Sequence, residues 1–177
     1  MTILGRGIVT LFLLSGLTFG SAQENAGKQP EDLPRYLEVT PNIGIGAQIT
    51  NEGIKQLAEK GYRAVINLRT ASEGVDLEAE QRAVEAAGMA YYAVPLSGRD
   101  PDPAQAEKFL GLMNNLAGKR VYVHCASGHR AGGLVLAKRV LQDGLSIDDA
   151  TAEVAKIGLK SDSLRQFALS IIERLKR

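Results

Sequence analysis

The chain is poor in the residues that most readily mark chemistry. It has one cysteine, Cys125, and two histidines, His124 and His129. A lone cysteine excludes an internal disulfide and leaves an intermolecular bond, a reactive thiol or an inert buried one. With no Cys/His cluster elsewhere, no metal site is expected, and no cofactor is implied. Net charge is scarce as well, 21 Lys and Arg against 20 Asp and Glu. Such a balance argues against nucleic acid or an anionic membrane surface as the main partner, so any anion recognition must be local. The apolar run from Ile8 to Phe19 is too short to span a bilayer comfortably and is interrupted by Ser15 and Gly16. With Arg6 before it and Gly20-Ser21-Ala22 after it, residues 1–22 read as a signal peptide. The expectation is an exported protein, periplasmic or secreted, with no stable membrane insertion after cleavage. No cysteine follows the cleavage site, which argues against a lipoprotein.

Past that segment, residues 23–36 are polar and proline-containing without apolar period, and read as a flexible lead-in. Residues 37–177 read as one domain. Apolar runs at 43–49, 64–68, 90–96 and 121–124 predict strands. Helical patterns at 53–60, 77–87, from Pro103 onward, 132–142, 147–157 and about 163–175 lie between and after them. Thr50, Asp102 and Ser146 stand where helix N-caps belong, with Gln105 placed for a capping box on Asp102. Strands separated by helices imply parallel pairing, hence an α/β three-layer sandwich with a mostly parallel central sheet flanked by helices. In such sheets ligands bind beyond the carboxyl ends of the strands.

The stretch VYVHCASGHRAGG lies at that place, a strand running through a tight turn into a glycine-rich helix start. The turn, Ala126, Ser127, Gly128 and His129, can direct successive backbone N–H groups into one concavity, and the helix N-terminus adds partial positive charge. Gly128 can supply a positive φ, and Arg130 can offer a two-pronged guanidinium to an oxyanion. The same field favours a thiolate, since cysteines at helix N-termini or beside cations titrate at about 3.5–7.5 rather than near 8.5. Cys125 is thus a candidate nucleophile. His124 is read either as orienting the cup by bonding backbone carbonyls or as a satisfied core histidine. His129 is read as lending positive charge or lining the entrance, or as an exposed loop residue. Arg69, ending the strand of 64–68, either faces the same rim or is a solvated charge; Glu73 in the next loop is a weaker candidate.

At these residues the chain resembles a known family. VHCASGHRAG looks like the signature loop of the cysteine-dependent phosphatases. IGIGAQITNEGIKQLAEKGYRAVINLR followed by YYAVPL resembles the phosphatase-like domain family of the beta-lactamase hydrolase-like proteins. The likeness runs from about Leu37 to Gly144. It implies a dual-specificity-phosphatase-like fold, Cys125 as nucleophile, Arg130 on the substrate anion, and an Asp of the preceding loop as general acid. Asp100 and Asp102 both lie in SGRDPDP; Asp102 is already explained as a cap, so Asp100 is preferred, and both are also ordinary turn residues.

Two departures qualify the resemblance. The loop is one residue shorter than the phosphatase pattern, a contour loss of roughly 3.3–3.6 Å, and Ala131 stands where a hydroxyl residue is usual. The short loop matches instead that of rhodanese-like sulfurtransferases, whose smaller cup suits a persulfide. Three readings follow. A phosphomonoesterase with a phosphocysteine on Cys125 stands first. A sulfurtransferase carrying sulfane sulfur on Cys125 stands close behind, and an anion-binding or thiol redox-sensing module is third. The expected partner is a small anionic substrate.

Overall fold

The computed structural model describes residues 31–157 and 161–177. The expected signal peptide and the first part of the lead-in lie outside them. Five strands form one sheet in the order β1-β2-β5-β3-β4, with β1 (Leu37–Thr40), β2 (Ile43–Gly46), β3 (Ala64–Asn67), β4 (Ala90–Ala93) and β5 (Val121–His124). All neighbours are parallel except β1 and β2, which pair antiparallel with a register irregularity between Glu38 and Thr40. The helices are α1 (Asn51–Glu59), α2 (Leu77–Ala86), α3 (Pro103–Asn115), α4 (His129–Leu141), α5 (Ile147–Ala155) and α6 (Asp162–Lys176).

Side-chain alternation along the strands builds two cores, one on each face of the sheet. Ile43, Ile45, Ala64, Ile66, Val121 and Val123 face one way, into a cluster with Phe109 and Leu110 of α3, Val135 and Leu136 of α4, Val154 of α5 and Ile171 of α6. Val65 and Tyr122 face the other way, toward Ile54 and Leu57 of α1 and Val84 of α2. This is the expected three-layer α/β sandwich.

Thr50, Asp102 and Ser146 cap α1, α3 and α5 as their positions in the sequence imply. The capping box at Gln105 does not form, since its side-chain oxygen has no hydrogen-bond partner. The first predicted strand stops at Gly46 rather than Ile49, because Ala47 N–H turns to Pro34 O and Gln48 N–H to Ala126 O. Residues 31–36, expected to be loose, are packed: Leu33 is fully buried, and Thr50 Oγ1 bonds Asp32 Oδ1 at 2.7 Å. α4 begins at His129, three residues before its expected start, so the loop and the helix N-terminus are continuous.

Candidate active site

Four loops meet at the carboxyl ends of the parallel strands. Val121, Val123 and Cys125 share the face of the larger core, and Cys125 is 1% exposed. Its sulfur is not walled off by aliphatic groups alone, for Gly128 N–H donates to Sγ at 3.1 Å. Gly128 holds φ at 84°, and a Cβ there would sit 2.7 Å from Ile157 Cδ1. A glycine is therefore required on two counts, the left-handed backbone and the lack of room. The next residue opens α4, whose Gly132 N–H bonds Gly128 O at 2.9 Å.

Arg130, in the first turn of α4, is 8% exposed and held from three sides. Its Nη1 donates to Leu68 O (3.1 Å), Leu96 O (2.9 Å) and Glu73 Oε1 (2.6 Å), and its Nη2 to Glu73 Oε2 (2.8 Å). Burial works to lower its pKa, but the Glu73 carboxylate and the neighbouring Cys125 sulfur outweigh it, so the group stays a cation. Glu73 is the counterpart. The Arg130 fork above all, against the opposing effect of burial and with help from Thr70 N–H and Arg69, lowers its carboxyl to about 2. Glu73 was the weakest candidate in the sequence and is the residue that fixes Arg130. The legible signal for it was local: with Thr70 it closes a capping box around the 3-10 turn Ala71–Glu73.

Arg69 is neither solvated nor on the rim. Its Nε reaches Glu73 Oε2 at 3.1 Å and its Nη1 reaches Gln48 Oε1 at 2.8 Å. The reading of His124 as a clamp on backbone carbonyls is corrected by strand alternation, which turns its ring to the face opposite Cys125. There Nε2 pairs with Glu80 Oε1 of α2 at 2.9 Å, while Nδ1 is buried without a hydrogen-bond partner. Asn67, Gln48 and Tyr91 complete that polar cluster.

A cavity of about 610 Å³ opens above the loop, and Ser127, His129, Arg130, Ser97 and Arg99 are among the residues that line it. His129 is half-buried there, and Ala126 is exposed. Asp100 and Asp102 lie on the loop that carries Ser97 and Arg99, yet both are exposed and neither lines the cavity. Asp102 accepts from Ala104 N–H at 2.8 Å as the α3 cap, while the backbone N–H of Asp100 is held by Ser97 Oγ at 3.1 Å. Among the described residues, no group of three or more His, Cys, Asp or Glu could hold a metal ion. No described helix is long and apolar enough to cross a membrane.

Residues 36–170 match the family model described as DSP-PTPase phosphatase fused to NAD+ kinase. The chain belongs to this cysteine-dependent phosphatase-like family. The chain is 31% identical over 121 residues to a beta-lactamase hydrolase-like protein of Xylella fastidiosa strain 9a5c. That match takes in 67% of this chain but only 28% of the relative's length. Solved structures share the phosphatase-like fold. A DUF442 protein of Shewanella putrefaciens CN-32 superposes with TM-score 0.70 at 19% identity, covering 80% of this chain and 93% of its own. Tk-PTP in its active form gives 0.67 at 21% identity, with 80% and 97% covered. TpbA of P. aeruginosa in complex with phosphotyrosine gives 0.59 at 16% identity, with 75% and 79% covered.

Proposed function

We propose that the chain hydrolyses phosphomonoesters through a phosphocysteine on Cys125. The observation that carries the reading is one juxtaposition: a buried sulfur receiving the N–H of a left-handed Gly128 at a helix N-terminus, with the buried Arg130 cation interacting with it. Glu73 and the two carbonyls engage Nη1 and one N–H of Nη2. The remaining N–H groups of the fork, which also meet Cys125, are proposed to receive oxygens of a phosphoryl group carried by that sulfur. In the first step a sulfur–phosphorus bond forms and the ester oxygen leaves with a proton; Asp100 is the preferred donor, and because it is exposed outside the cavity lining its loop must bring it over the leaving oxygen. Water then breaks the sulfur–phosphorus bond, releasing inorganic phosphate and restoring the thiolate. A phosphotyrosine complex in the TpbA relative supports a small phosphorylated substrate. Export by way of residues 1–22 is part of the proposal.

The four-residue spacing between Cys125 and Arg130 keeps one alternative in view, sulfane-sulfur transfer. A single assay separates the two. Mature protein is incubated with p-nitrophenyl phosphate, and separately with thiosulfate and cyanide, each beside Cys125→Ser. Phosphate release that disappears in the variant is the expected result. Thiocyanate formation that disappears in it, without phosphate release, would replace this reading with the second; neither product at any pH would leave a non-catalytic anion-binding or thiol module.

A further inference from the structure

We infer that Glu80, on the face of the sheet away from the cavity, is the positioning residue that orients both Arg130 and the cysteine loop. The inference rests on the reading of Cys125 and Arg130 as the reacting pair. Glu80 does not line the cavity, and its side chain is 9% exposed. Several donors converge on it: His124 Nε2 at 2.9 Å and Asn67 Nδ2 at 2.7 Å on Oε1, Gln48 Nε2 on Oε2, and the Tyr91 hydroxyl beside them.

What matters is the chemistry of the acceptor. An ionised carboxylate only accepts, so each group that meets it must present a donor. The side-chain amides of Gln48 and Asn67 are symmetric in shape and could each sit either way round. Glu80 fixes both. With Nε2 of Gln48 directed at Glu80, Oε1 must face Arg69, and it accepts from Arg69 Nη1 at 2.8 Å. With Nδ2 of Asn67 directed at Glu80, Oδ1 must face the other way, and it accepts from Arg69 N–H at 2.7 Å. Backbone and guanidinium of Arg69 are thereby both tied to one carboxylate through amides of matched polarity. Arg69 in turn meets Glu73 Oε2 at 3.1 Å, and Glu73 forks onto Arg130. A second arm reaches the nucleophile's loop. Gln48 N–H bonds Ala126 O at 3.4 Å, and His124, paired to Glu80, is the residue before Cys125.

An ion pair made merely to satisfy a buried histidine would need one contact, not a set whose polarity propagates to Arg130. Glu80→Gln keeps the shape but turns one acceptor oxygen into a donor, so one of the converging groups must turn round or lose its bond. Gln48→Leu removes the link from Glu80 to the Arg69 guanidinium and leaves the Asn67 and His124 contacts whole.

The test uses the full chain and three readouts: alkylation of Cys125 by iodoacetamide, protection against it by inorganic phosphate, and kcat and KM on p-nitrophenyl phosphate. Thermal midpoints control for folding. Both variants are expected to weaken phosphate protection and kcat/KM by about tenfold or more, with Gln48→Leu keeping a near-wild-type midpoint. Protection and kcat/KM within about twofold of wild type in Gln48→Leu, or in a folded Glu80→Gln, would overturn the inference. Should Glu80→Gln fail to fold, Gln48→Leu decides alone. A wild type with neither turnover nor phosphate protection would remove the hydrolase reading, and the alkylation rates would still decide this one. Equal rates in wild type and Gln48→Leu overturn it, and a changed rate upholds it.

Discussion

Gly128 carries more of the site than any other residue without a functional group. Its N–H donates to Cys125 Sγ, and it holds a left-handed φ of 84° where the loop turns into α4. An alanine there takes on a left-handed conformation costing about 1–2 kcal/mol, and its Cβ also meets Ile157 Cδ1 at 2.7 Å. Gly128→Ala should lower the denaturant midpoint and slow Cys125 alkylation together, measured by urea titration and thiol kinetics; a change in one without the other would separate packing from loop geometry. Asp100 invites a different test. If it protonates the leaving oxygen, Asp100→Asn should depress kcat far more for an alkyl phosphate, whose leaving group needs the proton, than for p-nitrophenyl phosphate. Cys125, Arg130 and Gly128 were legible because all the information sits within six residues of sequence. Glu80 was not, and for Glu73 only the local turn was legible and not its role, since their partners are 44 and 57 positions away and only the folded sheet brings them together.

At the scale of elements, strand alternation decides what each loop residue can do. Along β5, Tyr122 and His124 point to one face and Val123 and Cys125 to the other, so adjacent His124 and Cys125 serve different networks. The bare even positions of β2 answer the tyrosines opposite: a Cβ on Gly46 would lie 1.9 Å from Tyr122 Oη. Gly46→Ala should therefore overpack the α1–α2 side at a cost of about 1–3 kcal/mol, read as a lower urea midpoint. Because Gly46 O also accepts Cys125 N–H at 3.5 Å, phosphate protection of the thiol should weaken with it. Most elements could be read from periodicity and caps, as α2 and α3 were. β1 could not: four residues, an irregular register and an edge position leave little pattern in LEVT. α4 was placed too late because Gly128, Gly132 and Gly133 weaken any helical signal at a start that tertiary contacts impose.

For the molecule as a whole, the site's charges couple function to acid stability. The Glu73 carboxyl drops from an ordinary 4.5 to about 2, chiefly through the Arg130 fork. Glu80 and Asp143 shift the same way: burial, which would raise them, is outweighed by His124 in one case and by Lys138 and Arg139 in the other. A folded pKa below the unfolded one means the unfolded chain binds protons first. The stabilisation is therefore complete above the unfolded value and is lost as pH falls through the folded one. For Glu73 that window runs from about pH 5 down to about pH 2, and its share is on the order of 2–3 kcal/mol. Wild-type stability from urea unfolding should be flat above pH 5 and decline below it. Glu73→Gln should be less stable at neutral pH and lose a large part of that slope, leaving Glu80 and Asp143 to supply the remainder. An unchanged slope would mean that the Arg130 fork contributes nothing to holding the fold. Because the same fork aims the guanidinium, the variant should also lose oxyanion affinity at pH 7, where Glu73 is fully ionised in the wild type.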